Sequence, residues 1–119
     1  MKKTLIIGAS ENPTRYSNQA AHRLLEHGFA IEQIGKKEGM VEGVKIETGT
    51  PLLSDIDTVT LYINPTHQKN YYNYILNLKP RRIIFNPGTE NPELVTLAQQ
   101  NNIQTEEACT LVLLSIGAY

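Results

Sequence analysis

An apolar run that stops at a glycine, Leu5-Ile6-Ile7-Gly8, sets the terms for the rest of the chain. With Thr4 before it, the run reads as a short strand buried on both faces, as strands of parallel sheets are. Ala9 and Ser10 follow, then the turn and cap formers Asn12, Pro13 and Ser17. A helical pattern starts with Ser17 as its N-cap, and Ala20, Ala21, Leu24 and Leu25 share one face. Gly28 stands where a glycine ends a helix. Strand, small-residue loop and helix in this order is how open α/β sheets offer backbone N–H groups to a phosphate. The stretch implies a nucleotide-like ligand without saying which.

The remainder repeats the alternation. Residues 29–34 form a second strand that stops at Gly35, and residues 41–47 a third, placed at an edge by its charge and Gly43. Pro51-Leu52-Leu53 reads as one helical turn. Residues 57–63 are the most β-like run in the chain and make a fourth strand. Asn64-Pro65-Thr66 opens a second helix carrying Tyr71, Tyr74, Ile75 and Leu78, which Pro80 ends. Residues 82–85 are a fifth strand. Asn91 caps a third helix with Pro92 at its first position, and Leu94, Val95, Leu97 and Ala98 make its apolar face. Residues 103–106 form a last short strand, and residues 111–116 an apolar terminal helix or extension. The prediction is a single Rossmann-like α/β domain over residues 1–119: a mostly parallel sheet in the order 3-2-1-4-5-6 with helices on both faces. Ligands of such sheets bind beyond the carboxyl ends of the strands. Here that means the loops Gly8-Ala9-Ser10, Gly35-Lys36-Lys37, Asn64-Pro65-Thr66 and Asn86-Pro87-Gly88.

Composition removes several function classes. A formal net charge of −1 gives no basis for a nucleic-acid surface or a polybasic membrane face. No apolar run approaches the roughly 20 residues that cross a bilayer. Met1-Lys2-Lys3 is followed by too few apolar residues for a signal-peptide core. One cysteine makes no internal disulfide, so the expected location is the cytoplasm. His22 and His27 are five apart, which does not put them on one helix face as a metal would need. His67 reads as a solvated residue of the second helix. Cys109 follows Glu106 and Glu107, whose charges disfavour a thiolate, and reads as structural rather than nucleophilic. No nucleophile is matched by a base and an orienting group. The expectation is therefore a non-catalytic binding module.

The nucleotide class rests on two places. A dinucleotide fingerprint has three glycines after the first strand and an acid after the second. This chain has Gly8-Ala9-Ser10-Glu11-Asn12-Pro13 at the first place and Gly35-Lys36-Lys37 at the second. Lysines there favour a phosphate on the ribose over a free diol, unless they merely solvate a surface turn. NADP and coenzyme A both carry such a phosphate and NAD does not.

Gly8-Ala9-Ser10, Asn12-Pro13, Arg15, Ser17 and Leu25-Glu26-His27-Gly28 together resemble the opening of the small stand-alone CoA-binding domain family, itself similar to the CoA-binding domain of the succinyl-CoA synthetase α subunit. The resemblance continues through Glu42-Gly43-Val44-Lys45, Leu53-Ser54-Asp55-Ile56, the loop ending at Gly88, and Cys109. The chain departs from the family with Gly35-Lys36 in place of Asn-Pro, Ile63-Asn64 in place of an arginine, and Phe85-Asn86-Pro87-Gly88 in place of Trp-Gln-Gly. The resemblance implies coenzyme A or an acyl-CoA as a small-molecule nucleotide ligand. Gly8, Ala9, Ser10, Asn12 and Ser17 would then form the phosphate loop, and Arg15 would reach the pyrophosphate. Gly35, Lys36 and Lys37 would stand at the ribose phosphate, with Asn64, Pro65, Asn86 and Gly88 lining the pocket. Two alternatives remain: an NADP-binding reductase-like domain, and an interaction protein on a decayed nucleotide-binding fold. The latter would form a homodimer through Leu111, Val112, Leu113, Leu114 and Ile116.

Overall fold

Seven strands form one sheet in the computed structural model of the chain, which describes residues 3–119. Met1 and Lys2, on which the expectation about a signal peptide draws, lie outside the described residues. Strand β1 (Lys3–Ala9) pairs in parallel with β2 (Ala30–Gly35) on one side and β5 (Thr58–Leu61) on the other. Beyond β5 lie β6 (Arg82–Phe85) and β7 (Gln104–Glu107), both parallel. Beyond β2 lies β4 (Val44–Glu47), and antiparallel to it, at the edge, β3 (Gly39–Val41). The order is β3-β4-β2-β1-β5-β6-β7.

That order departs from 3-2-1-4-5-6 by one added edge strand. The expected third strand, 41–47, is the heart of a hairpin. Glu42 and Gly43 both take positive φ, 51° and 78°, which is the two-residue turn that matches the twist of paired strands. Gly43 marks this reversal rather than a weak strand.

Alternate residues of β1 serve two cores, as the period of a strand dictates. Leu5 and Ile7 face Val59, Leu61, Phe85, Ile75 and Leu94, under α3 (Tyr72–Leu78) and α4 (Pro92–Gln100). Ile6 and Ala9 face Ala21, Leu24, Ile46 and Leu114, under α1 (Tyr16–Glu26) and α5 (Thr110–Ser115). Leu5, Ile6 and Ile7 are almost wholly buried, and burying each such side chain is worth about 1.5–3 kcal/mol. The short central strand is therefore a large share of what holds both layers together. Arg82, also buried, lies 4.5 Å over the Tyr119 ring. Tyr119 bonds the Thr4 hydroxyl and packs edge-on against Phe29, so the end of the chain closes one side of the sheet.

Other expectations are corrected. Helix α1 begins at Tyr16 with Arg15 at the N-cap, and Ser17 is buried inside the first turn instead of capping it. The Pro51-Leu52-Leu53 segment forms no helical turn and has no regular secondary structure. Leu52 is fully exposed, and the Tyr74 hydroxyl donates to the Pro51 carbonyl at 2.6 Å. The helix expected from residue 64 to 78 is broken into α2 (Pro65–Gln68), a 3-10 turn (Lys69–Tyr71) and α3. The break falls on Lys69-Asn70-Tyr71, where asparagine and tyrosine are weak helix formers. Lys79 then ends α3 in the left-handed region, at φ 50°. Helix α4 starts as expected, with Asn91 Oδ1 accepting the N–H groups of Glu93 and Leu94. Among the described residues no helix is long and apolar enough to cross a membrane.

Candidate functional site

The site is built at the carboxyl end of β1. At Gly8 the strand takes φ +102°, and its register with β2 shifts between Ile7 and Ala9. A Cβ on Gly8 would stand 2.9 Å from the Tyr62 carbonyl carbon. One on Gly35 would stand 2.4 Å from the Ala9 carbonyl oxygen. Both distances are shorter than any van der Waals contact, so these glycines let neighbouring strands close on the kink. Gly35 is accordingly buried within β2 and does not line the cleft, contrary to its expected place at the ribose.

Past the kink the loop organises itself. Ser10 Oγ accepts the Asn12 N–H at 3.0 Å, and Asn12 Oδ1 accepts the Thr14 N–H and hydroxyl at 3.0 and 2.8 Å. The Asn12 carbonyl accepts the Arg15 N–H, and the buried Asn18 donates to the Ser10 carbonyl at 2.9 Å. These turns compete with helix and delay it to Tyr16. They also consume the side-chain oxygen of Asn12, which leaves that residue a role in shape. Among the described residues no side chain caps α1, so the N–H groups of its first turn, beside Tyr16 and Ser17 at the cleft, keep the partial positive charge of a helix start.

The walls of the cleft come from other strand ends. Lys36 and Lys37 enter from the turn after β2, and Tyr62, Ile63, Asn64 and His67 from the far side, after β5. The cleft encloses about 720 Å³. Arg15, Lys36 and Lys37 form no ion pair among the described residues, whereas Glu38, in the same turn, faces Lys45 at 4.0 Å. Positive charge in the cleft is thus uncommitted. Burial pushes the Tyr62 phenol up to about 12, although the Thr110 and Thr60 hydroxyls beside it favour the phenolate. It stays a neutral hydroxyl at any ordinary pH.

The structure thus brings Gly8, Ala9, Ser10, Asn12, Arg15, Ser17, Lys36, Lys37 and Asn64 around one cleft. It does not bring the rest of the expected set there. Asn86 is buried and bound on every side. It donates to Thr60 Oγ1 at 2.7 Å and the Leu61 carbonyl at 2.9 Å, and its Oδ1 accepts the Thr110 N–H at 2.9 Å. Pro65 begins α2 behind Asn64, whose Oδ1 caps that helix through the His67 N–H. Gly88 is exposed on the outer turn with φ +91°, while its neighbours Pro87 and Thr89 reach the cleft.

Sequence reasoning missed the support beneath this floor. Gln68, fully buried, donates to the carbonyls of Ile63 and Thr89, both at 2.8 Å, and accepts from Asn91 at 2.8 Å. Asn91 also donates to the Tyr72 hydroxyl, which donates to Glu93. The network ties the two loops of the far wall to each other. A glutamine in a polar helix start gives no signal of burial. Glu11 was missed as well: its carboxylate crosses the cleft mouth and accepts the Met40 N–H at 2.9 Å. Of the residues considered for other chemistry, His22 pairs with Glu42 at 3.3 Å. Cys109 is half-buried before α5 and lies outside the cleft lining.

A sequence model for a family described as "CoA binding domain" matches residues 2–115. Among solved structures, a crystal structure of an uncharacterized protein is 51% identical with a TM-score of 0.97, over 100% of this chain and 98% of that one. A hypothetical protein from Pyrococcus horikoshii OT3 is 25% identical with a TM-score of 0.85, over 93% and 80% of the two chains. The structure of cell-free ID.343 from Thermus thermophilus, 18% identical over 99% and 90% with a TM-score of 0.84, shares the fold. No curated protein matches the sequence significantly.

Proposed function

We propose that this chain, which belongs to the CoA-binding domain family, binds coenzyme A or an acyl-CoA in the cleft beyond β1, β2 and β5, as a module without catalysis of its own. One observation carries the reading: a helix start uncapped by any side chain among the described residues, and Arg15, Lys36 and Lys37, which form no ion pair among them, converge on one cleft of about 720 Å³. Helix starts and guanidinium groups suit a pyrophosphate, through backbone N–H groups in one case and paired N–H donors in the other. In this reading Gly8, Ala9 and Ser10 hold the pyrophosphate with the first turn of α1, and Arg15 closes over it. The Ser10 hydroxyl accepts from Asn12 and keeps its proton to donate. Lys36 and Lys37 take the ribose phosphate. Asn64 and His67 border the opposite end, where the pantetheine arm or an acyl group leaves the cleft.

Calorimetric titration tests this directly. Coenzyme A is expected to bind about tenfold or more tighter than dephospho-CoA, the effect of a charge-assisted contact to the ribose phosphate. Arg15→Ala is expected to weaken both ligands alike. Equal affinities for coenzyme A and dephospho-CoA would remove the lysines from the site. Preference for NADP over coenzyme A would move the assignment to the dinucleotide alternative, since lysines suit the phosphate of either ribose.

A further inference from the structure

We infer that Glu11 reads the ribose: its carboxylate accepts the free hydroxyl that stands beside the ribose phosphate. The inference rests on the coenzyme A reading and deepens it. In dinucleotide-binding sheets the acid that meets the ribose hydroxyls stands at the end of the second strand. Here Gly35-Lys36-Lys37 occupies that position, and the next acid, Glu38, lines the cleft as well, with its carboxylate 4.0 Å from Lys45. Glu11 brings a carboxylate to the same region from a different loop. Its Oε2 accepts the Met40 N–H at 2.9 Å, so the group spans from the β1–α1 loop to the far side of the Lys36–Glu38 turn.

The seat for this carboxylate is built into the backbone opposite. Gly39 is not among the glycines with positive φ, so its conformation does not require glycine. Its missing side chain makes room instead. A Cβ there would stand 2.5 Å from Glu11 Cδ and 2.9 Å from Oε2. Residues far apart in sequence therefore fit as a pair, an acid that crosses the mouth and a glycine that admits it. With Oε2 held by Met40, Oε1 accepts no hydrogen bond among the described residues and is an acceptor only. Lys36 and Lys37 line the same cleft. A phosphate is drawn to the lysines and repelled by the acid, and a hydroxyl is drawn to the acid. A ribose with a phosphate on one carbon and a free hydroxyl on the next satisfies both.

The test uses adenosine 3′,5′-bisphosphate, the nucleotide end of coenzyme A, and its 2′-deoxy analogue, titrated calorimetrically beside coenzyme A itself. The wild-type protein is expected to bind the ribose form about tenfold tighter than the deoxy form, as for a hydrogen bond to a charged group. Glu11→Gln keeps an acceptor for Met40 but turns an amide donor toward the ligand, and it is expected to abolish the preference. Gly39→Ala displaces the carboxylate without touching the phosphate loop and is expected to do the same, with an unchanged circular dichroism spectrum. Equal binding of the two bisphosphates to wild type overturns the inference while the coenzyme A reading stands. So does a Glu11→Gln variant that binds the ribose form more tightly, because the carboxylate would then only repel phosphate. Tight binding of coenzyme A without either bisphosphate also overturns it, and absence of all three overturns the coenzyme A reading together with it.

Discussion

Truncating Asn86 separates a residue that carries the fold from one that carries the ligand. Its amide donates to Thr60 Oγ1 and the Leu61 carbonyl, and its Oδ1 accepts the Thr110 N–H, so one side chain joins β5, the end of β6 and the start of α5. In Asn86→Ala the Thr110 N–H and the Leu61 carbonyl lose these partners, in a place water does not reach. Each lost bond costs a net 0.5–1.5 kcal/mol or so, and each buried group left unsatisfied about 1–3 kcal/mol. Thr60 keeps its bond to the Thr110 hydroxyl, 2.8 Å away, and escapes the penalty. The expected loss is about 3–5 kcal/mol. For a chain of this size that lowers the melting temperature by roughly 12–20 °C. Urea unfolding followed by circular dichroism gives the first number, and a thermal scan the second. Coenzyme A affinity, measured well below the melting temperature, is expected to stay within about twofold of wild type, because the removed atoms do not face the cleft. A loss under about 1 kcal/mol with unchanged urea dependence would refute the argument that these bonds hold β5, β6 and α5 together. A collapse of coenzyme A binding in a protein of undiminished stability would return Asn86 to the pocket.

Gly8→Val meets the Tyr62 backbone at 2.9 Å with φ at +102°, so it is expected to lower stability by about 3 kcal/mol or more whether or not ligand is present; unaltered urea unfolding would show that the kink opens freely. The Tyr62 phenol, pushed up to about 12 by burial, sits above the unfolded value near 10, so its contribution to stability is complete below pH 10 and lost as pH rises toward 12. Tyr62→Phe is expected to move the alkaline unfolding midpoint upward, and an unmoved midpoint would assign the transition to another group. Val112 on α5 and Ile116 just past its end are exposed while Leu114 is buried beneath the helix, and we expect a two-fold dimer through this face in light scattering. A mass near 13.3 kDa at tens of micromolar would remove the dimer.

The sheet was legible because burial leaves a direct trace. Leu5-Ile6-Ile7 and Ile83-Ile84-Phe85 are apolar on both faces since helices cover both sides. Helix starts were legible where a side chain supplies the cap, as Asn91 does for α4, and misplaced where the backbone does, as at Arg15. The hairpin at Glu42-Gly43 was read as one strand because a glycine inside a strand and a glycine in a turn look alike in sequence. The loops of the cleft were placed by topology alone, which says which strand ends meet but not which way a side chain turns. Hence Lys36 and Lys37 were found at the cleft, while Asn86 was assigned outward and points inward. Glu11 and Gly39 were invisible for a further reason: neither has meaning until the other is seen beside it.

The two borders of the sheet decide how copies of this chain can meet. One border is the short β3, closed into its hairpin. The other is β7, Gln104-Thr105-Glu106-Glu107, whose side chains are almost all exposed. Joining two copies strand to strand across β7 would bring four carboxylates to the seam, two on each face of the sheet, and like charges facing each other across a ladder are repulsive. Growth by adding sheet to sheet, the route that runs on without limit into fibres, is therefore discouraged at that border. Contact through helices is left open, and where such a contact is two-fold it closes on itself after two.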